Sequence, residues 1–271
     1  MSSPLLAIDG DSFAHRAYHA LPKSISRNAV VGFTNMIVRL WEAERPRAVL
    51  VGWDSLESPT YRHELLPAYQ SGRVFEPSIL EQLALLPELC AALGFAVAKA
   101  AGYEADDFLA AAAAAEEARG GSVLVASGDR DSFQLASERT TILFPVKGVS
   151  ELARIGPDEV RERYGVEPAQ VPDFIALRGD PSDKLPGAKG VGPKTAASLL
   201  QQYGSLEAAL TDGRFAAQAD ELRLYRRIAA MDAAAPVPDV PDAEPDWRQG
   251  AALVRSWGLN QLADRLEKRA S

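Results

Sequence analysis

Asp180 and Asp183 stand in the run Arg178-Gly179-Asp180-Pro181-Ser182-Asp183-Lys184-Leu185-Pro186-Gly187-Ala188-Lys189-Gly190-Val191-Gly192-Pro193-Lys194-Thr195. A carboxylate pair is followed there by a glycine-rich basic turn. Carboxylates hold hard cations through oxygen. A turn such as Gly190–Thr195 offers backbone N–H groups and a lysine to a phosphate. The two devices together point to metal-dependent chemistry on a phosphodiester.

Seven further acidic residues extend the set: Asp9, Asp54, Glu104, Asp106, Asp107, Asp129 and Asp131. Read singly, each has a plainer role. Glu104–Asp107 opens a helix and complements its dipole, and Asp129 and Asp131 suit a turn. Read together, they fall at strand ends or helix starts, and such a density of like charge repels unless cations sit among it. Oxygen donors without cysteine or histidine favour Mg²⁺ or Mn²⁺ over zinc. His15, His19 and His63 follow no zinc spacing. Two hard cations about 4 Å apart activate water and stabilise a leaving oxygen in displacement at phosphorus.

The elements that position these residues follow from the apolar pattern. Pro4–Ile8, Arg47–Trp53, Phe95–Lys99, Ser122–Ala126 and Thr140–Phe144 read as strands. Asn28–Glu44, Glu76–Leu93 (broken at Pro87) and Ala105–Arg119 read as helices. Alternation of this kind predicts an α/β layer with a mostly parallel sheet flanked by helices. Asp9, Asp54, Asp129 and Asp131 then lie at the carboxyl ends of strands, where open α/β sheets bind ligands. From Pro157 the pattern is helical: Pro157–Tyr164, Val171–Leu177, Pro193–Tyr203, Leu206–Leu210 and Phe215–Met231. The expected division is a catalytic domain over 1–155, a helical unit over 156–234 and a tail over 235–271. In the tail, an acidic proline-rich linker precedes one or two amphipathic helices over Trp247–Lys268, expected to fold back.

The turn at Gly187–Thr195 is not a nucleotide-binding P-loop, because Pro193 stands where that motif needs lysine. A helix-hairpin-helix fits: glycines permit the tight turn and Pro193 suits the first helical position. Such a turn binds nucleic-acid backbone without reading bases. An ordinary interhelical turn is the other reading.

Bulk properties bound the rest. The 271 residues carry a net charge of −8, from 29 basic and 37 acidic side chains. That balance speaks weakly against nucleic acid, since carboxylates that hold metals inflate the acidic count. Cys90 is the single cysteine, so no internal disulfide forms. No apolar run is long enough for a bilayer, and the start lacks a basic, apolar leader. The expectations are no membrane partner, a cytoplasmic location and a monomer.

Six motifs occur in order: Asp9-Gly10-Asp11, Arg62-His63-Glu64, Tyr69-Gln70-Ser71-Gly72-Arg73, Gly102–Asp107, Gly128-Asp129-Arg130-Asp131 and Gly179–Thr195. Over about Leu5 to Met231 the chain resembles the bacterial 5′→3′ exonuclease and flap endonuclease family, which includes the nuclease domain of bacterial DNA polymerase I. No polymerase segment follows, so a stand-alone nuclease is expected. The resemblance implies a PIN-like core with a helix–three-turn–helix unit, acting on DNA with 5′ ends, flaps or nicks in primer processing and repair. It implies metal binding at all nine acidic positions. Glu104, Asp106, Asp129 and Asp131 would hold the ion nearest the scissile phosphate, Asp180 and Asp183 the second, and Asp9, Asp54 and Asp107 would contribute directly or through bound waters. It also implies a potassium ion among the backbone carbonyls of Leu177, Arg178, Pro186, Ala188 and Val191, with Lys189–Thr195 on the duplex.

Where the family carries lysine after the tyrosine, this chain has Gln70. Gln70 donates a hydrogen bond without charge, so Arg73 is expected to take over part of the stabilisation of the reacting phosphate. Asp106 and Asp129 complete the implied catalytic set. Tyr69 either stacks on a terminal base or is a surface tyrosine. The segment near 73–86 matches an arch over the site, expected to be mobile without DNA. Two other functions fit the sequence: a catalytically weak protein that binds branched DNA, and a ribonuclease of the same fold.

Overall fold

The computed structural model describes residues 3–55, 57–72, 74–147 and 151–270. Six strands form one sheet in the order β3-β2-β1-β4-β5-β6. They are β1 (Leu5–Asp9), β2 (Ala48–Gly52), β3 (Ala96–Ala98), β4 (Val123–Ala126), β5 (Thr140–Lys147) and β6 (Glu151–Ile155). The first five are parallel, and β6 pairs antiparallel with β5. The sequence pattern missed β6, because Glu151-Leu152-Ala153-Arg154-Ile155 is half polar and lies at the sheet edge.

The chain runs from β1 outward through β2 to β3, then returns to β4 on the other side of β1. This reversal opens a crevice at the carboxyl ends of β1, β2 and β4. Asp9 ends β1, Asp54 lies just past β2, and Asp129 just past β4.

Successive strand residues point to opposite faces. Leu6, Ile8, Val49, Val51 and Leu124 pack on one face with α1 (Gly10–Ala20), α2 (Asn28–Glu44), α4 (Pro77–Leu83) and α5 (Leu86–Ala92). Helices α12 (Trp247–Ser256) and α13 (Asn260–Glu267) fold back onto the same face. Trp247 meets Trp41 edge-on, with ring centroids 5.4 Å apart. Leu5, Ala7, Leu50, Val123 and Val125 face the other way, onto α6 (Ala105–Ala118) and the helical unit.

That unit holds α7 (Pro157–Tyr164), α8 (Val171–Arg178), α9 (Pro193–Tyr203), α10 (Leu206–Thr211) and α11 (Ala219–Ala229). A further short helix, α3 (Tyr61–Leu65), was not foreseen. The break expected at Pro87 falls instead at Ala84 and Leu85, and Pro87 sits in the first turn of α5. The proline-rich stretch before α12 is strapped down rather than free: Arg47 donates to the Val240 carbonyl at 2.7 Å, and the Ala243 N–H reaches the Arg47 carbonyl at 2.9 Å.

The segment expected to arch over the site carries α4, which buries Ile79, Leu83 and Gln82. Gln82 Oε1 accepts from the Ala29 N–H at 2.8 Å, filling one of the free donors at the start of α2. Val74 is nearly fully exposed at the foot of the segment. Arg73 lies outside the described residues. Among the described residues no helix is long and apolar enough to cross a membrane.

Candidate active site

A cleft of about 540 Å³ opens at the carboxyl ends of the strands. Seven of the nine predicted acids line it: Asp9, Asp54, Glu104, Asp106, Asp129, Asp131 and Asp180. Asp183 stands at its edge, where its Oδ1 accepts from Gln70 Nε2 at 3.2 Å. Gln70, which also lines the cleft, sits in the left-handed region at φ 49°.

Several of the acids are held by local backbone or a hydroxyl. Asp9 caps α1, with Oδ1 accepting from the Ser12 N–H at 2.9 Å and Oδ2 from Ser127 Oγ at 2.7 Å. Asp54 Oδ1 accepts from the Ala105 N–H at 2.8 Å, tying the end of β2 to the start of α6. Asp129 Oδ1 accepts from the Asp131 N–H at 2.9 Å. Asp180 and Leu185 exchange two backbone hydrogen bonds of 2.8 Å across a tight hairpin. Gly10 lets these parts close up: a Cβ there would stand 2.7 Å from the Trp53 ring.

Asp11 was not foreseen as a site residue. It is buried, lines the cleft, and accepts from the Asp54 N–H at 2.7 Å. Its place two residues after Asp9 was the available signal.

Two predictions need correction. Asp107 does not enter the cleft. It is fully buried and forms a bidentate pair with Arg62, both contacts at 2.8 Å. Side chains at adjacent helical positions diverge by about 100°, so Asp106 and Asp107 cannot share a face. Tyr69 is no stacking platform either. Its ring is buried in the core and its hydroxyl donates to Glu104 Oε2 at 3.0 Å. Gln70 Nε2 in turn donates to Tyr69 Oη at 2.8 Å.

Burial and mutual repulsion raise the acids' pKa values. Burial, with the charges of Asp54 and Asp129, lifts Asp9 to about 7. Burial is also the main cause for Glu104, at about 7. Asp11, Asp106 and Asp131 are pushed well above the carboxylate range by burial first and neighbouring acids second. Asp106 Oδ1 is buried with no hydrogen-bond partner. An orphaned carboxylate oxygen among like charges suits a divalent cation. Among the described residues, no three His, Cys, Asp or Glu side chains are gathered closely enough to hold a metal ion; the acids form an open rim.

The hairpin lies beside this rim. Gly179 and Gly187 hold two strands of backbone in direct contact: both have φ near 80°, and a Cβ on Gly187 would stand 2.4 Å from the Gly179 nitrogen. Lys189, Gly190, Gly192, Pro193, Lys194 and Thr195 are exposed, and Val191 is half-buried. Of the carbonyls expected to surround potassium, that of Leu177 accepts from the Ala188 N–H at 2.9 Å and that of Ala188 from the Val191 N–H at 3.1 Å. Each keeps a second lone pair. A second cleft is lined by Arg130, Arg163, Arg178 and Lys194 and by the stacked rings of Tyr164 and Phe174. Arg130 and Arg178 line both clefts.

Comparison with known proteins agrees with this architecture. The 5′-3′ exonuclease N-terminal resolvase-like domain matches residues 4–165, and the 5′-3′ exonuclease C-terminal SAM fold matches residues 166–247. DNA polymerase I of Mycobacterium leprae is 46% identical over 211 residues, covering 75% of this chain and 23% of that protein. DNA polymerase I of Bacillus caldotenax is 36% identical over 291 residues, covering all of this chain and 33% of that protein. The chain thus spans a quarter to a third of the length of these relatives.

Among solved structures, T5 5′-exonuclease with bound zinc superposes with a TM-score of 0.72 at 18% identity, covering 99% of this chain and all of that one. The catalytic core of Rad2 in complex with DNA substrate gives 0.61 at 15% identity, covering 98% and 91%. With both characteristic domains present in order, the chain belongs to the 5′-3′ exonuclease family, a family of phosphodiester-hydrolysing 5′ nucleases.

Proposed function

We propose that this chain is a Mg²⁺- or Mn²⁺-dependent nuclease that cleaves DNA near 5′ ends and at 5′-flap junctions, in primer processing and repair. The observation that carries the reading is the rim itself: eight acids line one cleft at the strand ends, beside a hairpin with exposed N–H groups and lysines. The T5 D15 flap endonuclease, solved with DNA and metal ions, shares this fold at a TM-score of 0.71.

In this reading Glu104, Asp106, Asp129 and Asp131 would hold one ion, Asp180 and Asp183 a second, and Asp9 and Asp54 would contribute directly or through bound water. Asp107 serves from behind, through Arg62. Two such ions, when bound, activate water and neutralise charge on the leaving oxygen. The chain's own residues do the rest. Asp11 fixes the Asp54 backbone, Ser127 orients Asp9, and Tyr69 and Thr60 orient Glu104. Gln70 directs its two amide N–H groups to Tyr69 and Asp183, tying the Glu104 side of the cleft to the hairpin. The duplex backbone runs from the cleft past Arg130 and Arg178 to Lys194 and the Gly190–Thr195 turn, read by shape rather than base. The carbonyls of Leu177, Arg178, Pro186, Ala188 and Val191 would hold a potassium ion, which would supply positive charge beside the DNA backbone.

The test is a 5′-labelled DNA flap incubated with Mg²⁺, with Mn²⁺ and with EDTA, beside an RNA flap. Cleavage at the DNA junction that needs metal supports the reading. Binding without cleavage in either metal would establish a branched-DNA-binding protein instead, and a preference for RNA would establish a ribonuclease.

A further inference from the structure

Arg62 is almost fully buried, with a side chain 4% exposed. A guanidinium has five N–H donors, and five acceptors surround this one. Asp107 takes two contacts at 2.8 Å, and Glu104 Oε2 lies 3.4 Å from Nη1. On the opposite side Nε donates to the Ile228 carbonyl at 2.9 Å and Nη2 to the Ala230 carbonyl at 3.2 Å. The last two belong to the end of α11, where helical carbonyls lack partners of their own.

The neighbouring groups repeat the pattern. Gln134 Nε2 donates to the Ala229 carbonyl at 3.0 Å and its Oε1 accepts from the Met231 N–H at 2.9 Å. Tyr61 Oη reaches the Ala230 carbonyl at 3.3 Å, and the Asp232 N–H donates to Asp107 Oδ1 at 2.9 Å. The last helix of the helical unit therefore ends on side chains of the sheet domain. The same arginine touches Glu104, whose other contacts are Thr60 and Tyr69 of the same segment.

We propose that Arg62 is a positioning residue that fixes Glu104 at the cleft and couples it to the seat of the helical unit. The proposal rests on the nuclease reading for its kinetic consequences and on geometry alone for its structural ones. Lysine at this position would keep the charge beside Glu104 and Asp107. It could not reach the α11 carbonyls at the same time, because its donors radiate from one point.

The test uses the full chain with Arg62→Met and Arg62→Lys, at a temperature where circular dichroism shows each folded. Flap affinity is measured in EDTA, cleavage across a Mg²⁺ titration, and amide exchange at residues 228–232 by mass spectrometry. Arg62→Met should lower kcat at least about tenfold and raise the Mg²⁺ midpoint about fivefold, in the range seen when groups that orient metal ligands are removed. It should also weaken flap binding about threefold and speed exchange at 228–232. Arg62→Lys should restore most of the Mg²⁺ midpoint but neither flap affinity nor slow exchange. If Arg62→Met does not fold, Arg62→Lys decides alone through this split. Unchanged Mg²⁺ midpoint, affinity and exchange in a folded variant would overturn the proposal. Wild-type cleavage is the control for the nuclease reading, and the exchange result stands whether or not that control succeeds.

Discussion

Gln70 donates from Nε2 to Asp183 Oδ1 at 3.2 Å, so one amide ties the sheet domain's segment before the arch to the hairpin of the helical unit. The same nitrogen lies 2.8 Å from Tyr69 Oη, which holds Glu104. A lysine here would make the Asp183 contact charge-assisted and place a cation at the phosphate. Gln70→Lys is therefore expected to preserve single-turnover cleavage or raise it by about three- to tenfold, the worth of roughly 1 kcal/mol. A tenfold fall would show that the neutral amide is required.

Asp129 receives the Asp131 N–H, and asparagine keeps that acceptor while losing the charge. Asp129→Asn should reduce cleavage by at least about 100-fold, comparable to losing one dominant electrostatic group. Flap affinity in EDTA should change little. Full cleavage with metal present would refute the assignment.

The raised acids predict an unusual pH response without metal. Unfolded, Asp9 and Glu104 release protons at 3.8 and 4.5; folded, both do so near 7. Between these values the folded state holds more protons, so stability falls as pH rises through the window. In EDTA the melting midpoint should drop by about 3–6 °C between pH 5 and pH 8. Added Mg²⁺ should recover it, more at pH 8 than at pH 5. A flat or rising midpoint in EDTA would contradict the stated electrostatics.

At the hairpin, Gly187→Ala would force a Cβ against the Gly179 nitrogen at 2.4 Å, at φ 75°. The expected cost is about 2–4 kcal/mol, from strain and a forced backbone shift. Urea denaturation reads this directly. A loss under 1 kcal/mol would mean that the two backbone segments separate easily.

The α/β core and most of the rim were legible because apolar strand runs stop at Asp9, Asp54 and Asp129. The helical unit was legible from Pro157 onward for the same reason: the apolar period changes. What the chain pattern hid is tertiary. Asp107 shares a motif with Asp106, yet helical geometry turns it into the core, where Arg62 meets it. Tyr69 reads equally as a surface or buried ring until Glu104 supplies a partner for its hydroxyl. Arg62 stands out in the sequence only as part of the motif Arg62-His63-Glu64. The packing of α11 supplies the Ile228 and Ala230 carbonyls that complete its acceptors beside Asp107 and Glu104. Edge strand β6 is half exposed, so its residues carry little apolar signal.

The central claim is that acids from separate strand ends share divalent ions, and Mn²⁺ titration followed by electron paramagnetic resonance tests it most directly. Wild-type protein with a flap should bind two Mn²⁺ ions, and Asp106→Asn, which alters the orphaned Oδ1, should weaken at least one of them about tenfold or more. No saturable binding, or binding untouched by Asp106→Asn and Asp129→Asn alike, would contradict the account.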